Sequence, residues 1–198
     1  MKKVIKSDLK KIYQEEMKKC SDAVKDGKHP YHIFTFSSIK DKKWPEIRIV
    51  VLRDFKFNPN VIYFNTDYRS PKIAQMKNNN NCCALFYDGI GKVQIRFHAK
   101  ASIHYQDSIA YEIWKKTALQ SRKCYMGEMN PSSEIQEWHP NFPITYLKKD
   151  PKLEHSEEGF QNFTCIKLNV IETEILKLYH DGHVRFNIKN KILNFIAP

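Results

Sequence analysis

Between Ser7 and about Val24, the apolar residues Leu9, Ile12, Tyr13, Met17, Cys20 and Val24 recur mainly at three- and four-residue steps, the period of an amphipathic helix. Gly27 to Pro30 end it. The pattern then shortens to the strand period. Residues 31–38 and 47–52 read as strands around a turn at Asp41 to Lys43, and 61–65 follows Asn58-Pro59-Asn60 as an arm of a hairpin. Residues 82–87 and 92–104 flank Asp88, Gly89 and Gly91, a composition suited to unusual backbone angles. Short connections of this kind predict an antiparallel sheet that curls toward a barrel rather than repeated crossover helices. Ile109, Ile113 and Trp114 mark a helix within 106–119 that packs on the sheet. Pro131, Pro140, Pro143 and Pro151 make 127–163 a loop-rich insertion with at most a short helix near 132–137. Strand patterning returns at 163–170, 174–178, 183–188 and 191–196. The expected fold is mainly β with flanking helices, a single domain over residues 1–198.

Composition narrows the class without choosing a function. Of 198 residues, 41% are hydrophobic and 28% charged, which excludes wholesale disorder and fibrous repeats. Lysine and arginine number 33 against 22 acids, a net charge of +11, which suits a polyanion or an anionic small ligand equally. The basic face of the first helix reads as solvated surface; with no second basic helix and no base-reading motif, nucleic acid is disfavoured as a partner. The lysine-rich start lacks an apolar core before a cleavage pattern, and no long apolar run follows, so export and membrane spanning are not expected. Five cysteines without regular spacing suggest reduced thiols and a cytoplasmic chain, and adjacent Cys82 and Cys83 should point to opposite faces of a strand. No histidine pattern suggests a metal site.

Candidate chemistry concentrates in Asn65-Thr66-Asp67-Tyr68-Arg69-Ser70-Pro71-Lys72. Ser70 fits the N-cap and Pro71 the first turn of a helix, with the serine oxygen accepting an orphan amide. A strand entering a helix there offers free amides and a favourable dipole to an anion, with Arg69 or Lys72 adding charge-assisted contacts. An ordinary cap with solvated basic neighbours satisfies the same residues. Ser-Pro-Lys is not a nucleotide P-loop, and there is no GxGxxG. Arg48 and Arg53 suit phosphate oxygens, yet strict alternation places them on opposite faces of their strand. In the strand around Val93, Ile95 and Phe97, alternation turns Gln94, Arg96 and His98 outward as a polar stripe or a solvated face. Trp114 serves as core or cavity wall.

The order of these segments resembles the pyridoxamine 5′-phosphate oxidase-like FMN-binding split-barrel family. The resemblance covers about residues 30 to 125 and rests on Arg48-Ile49-Val50-Val51-Leu52-Arg53, on Phe64 through Lys72, and on Gln94-Ile95-Arg96 before a helix containing Trp114. It implies an antiparallel split barrel, a homodimer with FMN at the subunit interface, and redox chemistry on a small organic substrate. By the same resemblance Arg48, Arg53, Ser70 and Lys72 form the phosphate side, Asn65 and Thr66 lie near the flavin's middle or ring edge, Gln94 reaches across the interface, and Arg122 is a further cofactor contact. The later stretch departs from the family's full oxidases: His183-Val184-Arg185-Phe186 keeps a partial echo of their substrate region, with His183 and Arg185 as substrate-phosphate candidates. That departure leaves open a flavin-binding, sensing or redox-interaction protein without turnover.

Overall fold

The computed structural model describes residues 4–198. In chain order the elements are α1 (Lys6–Ala23), β1 (Ile33–Lys40), β2 (Trp44–Val51), β3 (Asp54–Lys56), β4 (Val61–Asp67), α2 (Pro71–Asn78), β5 (Asn81–Asp88), β6 (Val93–His104), α3 (Ser108–Lys116), α4 (Leu119–Arg122), α5 (Leu153–Ser156), β7 (Phe163–Lys177), β8 (Val184–Lys189) and β9 (Ile192–Ile196). All strand neighbours are antiparallel. They follow the order β2-β1-β5-β6-β7-β4-β3, with β8 added to β7 and β9 to β8.

The sheet closes because one extended run serves both of its ends. Residues of β2 pair with β1, and the chain then passes through buried Leu52 into β3, which pairs with β4. At the changeover the Leu52 amide donates to the His32 carbonyl (2.8 Å) and the Arg53 amide to the Tyr63 carbonyl (2.8 Å), so neither backbone donor is orphaned. The strand parities agree on an interior filled by aromatic rings. Phe34 and Phe86 stack at 4.6 Å, Phe86 meets Phe97 edge-on at 5.5 Å, and Phe36 meets Phe64 at 4.9 Å. Helix α1 covers this core with Leu9, Met17, Cys20 and Ala23. Its one buried acid, Glu16, accepts from Tyr31 Oη (2.7 Å) and Lys19 Nζ (2.8 Å), which satisfies the carboxylate.

A smaller core lies outside the barrel, where Trp114 and Ala110 of α3 pack on Tyr63, Tyr125, Phe163 and Cys165. Of the two roles the sequence allows Trp114, packing is the one it has. Helix α3 is shorter than its apolar spacing predicts: Asp107 Oδ1 caps it by accepting the Ala110 amide (2.8 Å), and Thr117 ends it in an extended conformation.

Two other expectations need correction. Residues 163–170 and 174–178 are one strand, because Ile171 is an extra residue opposite the His98/Ala99 step and lets β7 bend without breaking. Residues 132–137 form no helix; short helical turns occur instead at Ile144–Tyr146, Leu153–Ser156 and Glu157–Asn162. Prolines and the absence of an apolar stripe leave 132–137 nothing to bury as a helix.

Candidate functional site

The junction of β4 and α2 forms as its residue types require. Ser70 is the N-cap of α2 in extended conformation and Pro71 the first helical residue, whose missing N–H costs no helical bond. One detail differs: the Ser70 side chain accepts no backbone amide. Its oxygen instead receives Lys72 Nζ at 2.5 Å, and the same ammonium donates to Thr66 Oγ1 at 3.0 Å. Arg69, a candidate anion contact, is turned away. Its guanidinium is held by Asp67 (2.7 and 3.0 Å) and donates to the carbonyls of Gly127 and Glu128 (2.8 and 3.0 Å), tying the insertion to the junction.

Across from Lys72, Arg48 projects from β2 on the same side as the interior ring Phe36, its guanidinium carbon 5.6 Å from that ring's centre. Arg48 Nη1 donates to Ser38 Oγ (2.6 Å), and Nη2 donates to Gln75 Oε1 (3.1 Å) and Glu46 Oε2 (2.8 Å). Ser38 in turn donates to Gln75 Oε1 (2.5 Å). Gln75 closes the ring by donating to the Glu46 carboxylate. Ser38, Glu46 and Gln75 were not singled out by sequence, although signals existed. Ser38 breaks the buried Phe34, Phe36 parity of β1, Glu46 shares a face with Arg48 by alternation, and Gln75 lies one helical step from Lys72.

Two cations, three hydroxyls and an amide therefore converge at the end of the barrel where α2 covers it. Partial burial lowers the Lys72 pKa to about 8, the Arg48 charge adds to the depression, and Asp67 and Glu46 oppose it. Burial also pulls Arg48 below its ordinary value, against the Glu46 carboxylate. Two like charges held this close by fixed polar groups form a donor set that suits a phosphomonoester.

The other candidates fall elsewhere. Alternation sends Asn65 to the face of β4 opposite Thr66. There it lines a cavity of about 660 Å³ with Arg53, Lys56, Tyr63, Ile113 and Lys116. Asn65 Oδ1 is buried and has no hydrogen-bond partner. Arg48 and Arg53 thus serve different faces, as alternation predicts. Gln94 sits on the outer sheet face opposite Tyr87 and Leu176. Arg122 is separated from the cluster. Only 2% exposed, it stacks 4.5 Å from the centre of the Trp114 ring and donates to the carbonyls of Trp114 (2.8 Å) and Thr117 (3.0 Å), to Ser156 Oγ (3.2 Å) and to Glu157 (2.5 Å). Its place is between α3, α4 and α5, as a packing residue. His183 and Arg185 line a second cavity, about 830 Å³, between the start of α1 and β8–β9. Arg185 is ion-paired there with Glu174 (2.9 Å), which Arg96 also binds (2.6 Å).

The fold has counterparts among solved structures. No curated protein is significantly similar to the chain in sequence. A pyridoxamine 5′-phosphate oxidase-related, FMN-binding protein from Nostoc punctiforme superposes with a TM-score of 0.74 at 16% identity, over 94% of this chain and 97% of the other. PhzG from Burkholderia lata, solved with tetrahydrophenazine-1-carboxylic acid, gives 0.64 at 13% identity, over 95% and 91% of the two chains. A Clostridium acetobutylicum protein of the pyridoxinephosphate oxidase family, related to general stress protein 26, gives 0.55 at 12% identity, over 89% and 93%. These likenesses establish the split-barrel fold. Residues 10–105 match the family described as pyridoxamine 5′-phosphate oxidase, FMN-binding domain, and that tract holds β1 to β6 with Arg48, Thr66, Ser70 and Lys72. Over that tract, just under half of the chain, the sequence is similar to the FMN-binding domain of the pyridoxamine 5′-phosphate oxidase family, and the whole chain has the split-barrel fold.

Proposed function

We propose that the chain binds FMN and works as an FMN-dependent oxidoreductase on a small organic substrate. The observation that carries this reading is the convergence of Arg48 and Lys72 with the hydroxyls of Ser38, Thr66 and Ser70. In this reading Arg48 and Lys72 hold the phosphate, and Ser70 and Thr66 keep the Lys72 ammonium aimed at it. Asn65, with its free carbonyl oxygen, and Arg53 turn polar groups into the neighbouring cavity, where a flavin ring or a substrate would find donors and acceptors. Bound FMN would supply two-electron exchange at its isoalloxazine. The test is to purify the chain, reconstitute it with FMN, identify the released chromophore by mass spectrometry, and titrate donors under anaerobic conditions. FMN uptake with donor-dependent bleaching is expected. Uptake without bleaching across a broad donor panel would make the chain a passive flavin binder, and no uptake would overturn the reading.

A pH signature follows from Lys72. Its ammonium begins to lose its proton near pH 8 in the ligand-free chain, whereas a phosphate partner would hold the proton on. Binding above that pH must take up a proton. FMN affinity should therefore fall by up to about tenfold per pH unit as pH rises above 8. Calorimetry in buffers of different ionisation enthalpy checks this, and Lys72→Met should abolish the proton uptake.

The second subunit belongs to the same proposal. Ile47 (64% exposed), Ile49 (68%), Ile33 and Tyr87 lie on the outer face of β2, β1 and β5, which continues to Gln94 on β6. A copy of the chain seated on that face would bury these side chains and bring Gln94 to its neighbour's site. Ile49→Glu is expected to give a monomer by light scattering and to weaken FMN binding with it. A monomer that keeps full affinity would remove Gln94 from the site.

A further inference from the structure

Glu46 stands where the phosphate site has no use for a negative charge. Its Oε2 accepts Arg48 Nη2 at 2.8 Å, and the same carboxylate receives the Gln75 amide. These bonds, with the Arg48, Lys40 and Lys72 charges, lower the Glu46 pKa, so the carboxylate is ionised at neutral pH. Arg48 makes its other contacts with neutral oxygens: the Ser38 hydroxyl, the Gln75 carbonyl and the Glu46 main-chain carbonyl. Glu46 is thus the anion bonded to the guanidinium in the ligand-free chain, and it lies near enough to Lys72 to raise that group's pKa.

We infer that Glu46 is a built-in competitor for the phosphate of the ligand, weakening its hold on Arg48 and making the cofactor exchangeable. The inference rests on the reading that a phosphate binds between Arg48 and Lys72. A phosphate dianion entering there meets the carboxylate at close range, and at such separations like charges oppose each other strongly even in a polar environment. The Glu46 side chain is 39% exposed, so it has a route outward into water, leaving Arg48 to the incoming group. The remaining fork partners, Ser38 and Gln75, are both buried and keep Arg48 aimed when the carboxylate leaves. Affinity in the wild-type chain is then the difference between two anions bidding for one guanidinium.

The test compares the full chain with Glu46→Gln, which retains the shape and an oxygen acceptor but removes the charge. FMN should bind the variant at least about tenfold tighter, with slower release. Riboflavin, which lacks the phosphate, should bind both proteins alike. Inorganic phosphate provides a readout free of flavin, and it should raise the melting temperature of the variant at lower concentration than that of the wild type. Glu46→Ala should move both measurements in the same direction. Equal or weaker phosphate and FMN binding by the variants would overturn the inference and make Glu46 a positioning residue for Arg48. Failure of both proteins to take up FMN, with the phosphate difference intact, would overturn the flavin reading and leave the competitor in place.

Discussion

Lys72→Ala is expected to weaken FMN binding by roughly 10- to 100-fold, the worth of a hydrogen bond to a charged group in a partly desolvated site. The loss has two sources. The ammonium sits between Thr66 and Ser70 with little freedom to move, so its removal deletes a donor already oriented toward the site. It also removes half of the cationic pair that makes the site attractive to a dianion. Arg48→Ala should lose at least as much, since it also leaves Ser38, Gln75 and Glu46 without their shared donor. Lys10→Ala, on the exposed face of α1, should change nothing. Fluorescence titration of the flavin-free chain measures all three, after circular dichroism has established that each variant is folded. Equal affinities for the three variants would place the phosphate elsewhere.

Arg122→Ala should behave in the opposite manner, costing stability and sparing affinity. Its guanidinium closes the C-terminal end of α3 by donating to the Trp114 and Thr117 carbonyls, and it lies against the Trp114 ring. Truncation removes these hydrogen bonds and leaves a void beside the indole. The Glu157 partner is half exposed, so the ion pair itself adds little. A destabilisation of about 3 kcal/mol is expected, seen as a fall of roughly 6–12 °C in melting temperature for a chain of this size. The folded fraction should bind FMN within about twofold of wild type. An unchanged melting temperature with lost affinity would return Arg122 to the ligand.

Local periodicity carried the elements whose neighbours in sequence are also their neighbours in space. The alternation of Val93, Ile95 and Phe97 against Gln94, Arg96 and His98 is the burial pattern of β6, and the spacing of Leu9, Met17 and Cys20 is the buried face of α1. The Ser70-Pro71-Lys72 helix start was legible because capping chemistry is local. The use of the Ser70 oxygen was not, since a side chain two residues on took it in place of an amide. Long-range partners were invisible for the same reason. Ser38, Glu46 and Gln75 read as unremarkable polar residues until closure of the barrel set β1, β2 and α2 around Arg48. Arg122 is ambiguous in sequence, because a basic residue after a helix looks the same whether it faces a ligand or fills a gap between three helices. Residues 127–163 are largely irregular, and what holds them, Asn141 bonding Met129 from both of its amide atoms and Arg69 gripping Gly127 and Glu128, depends on tertiary placement.

The continuity of β2 into β3 makes the barrel a loop of ribbon whose overlap is short, with three paired residues in β3 and the amides of Leu52 and Arg53 beside them. Arg48 lies on β2, which leads into one side of that overlap, and Thr66, which steadies Lys72, lies on β4, which forms the other. A molecule gripped by both would act as a rivet through the seam. Loading the chain should then slow deuterium uptake most at residues 52–56 and 61–66, far more than in the already well-paired middle of β6 and β7.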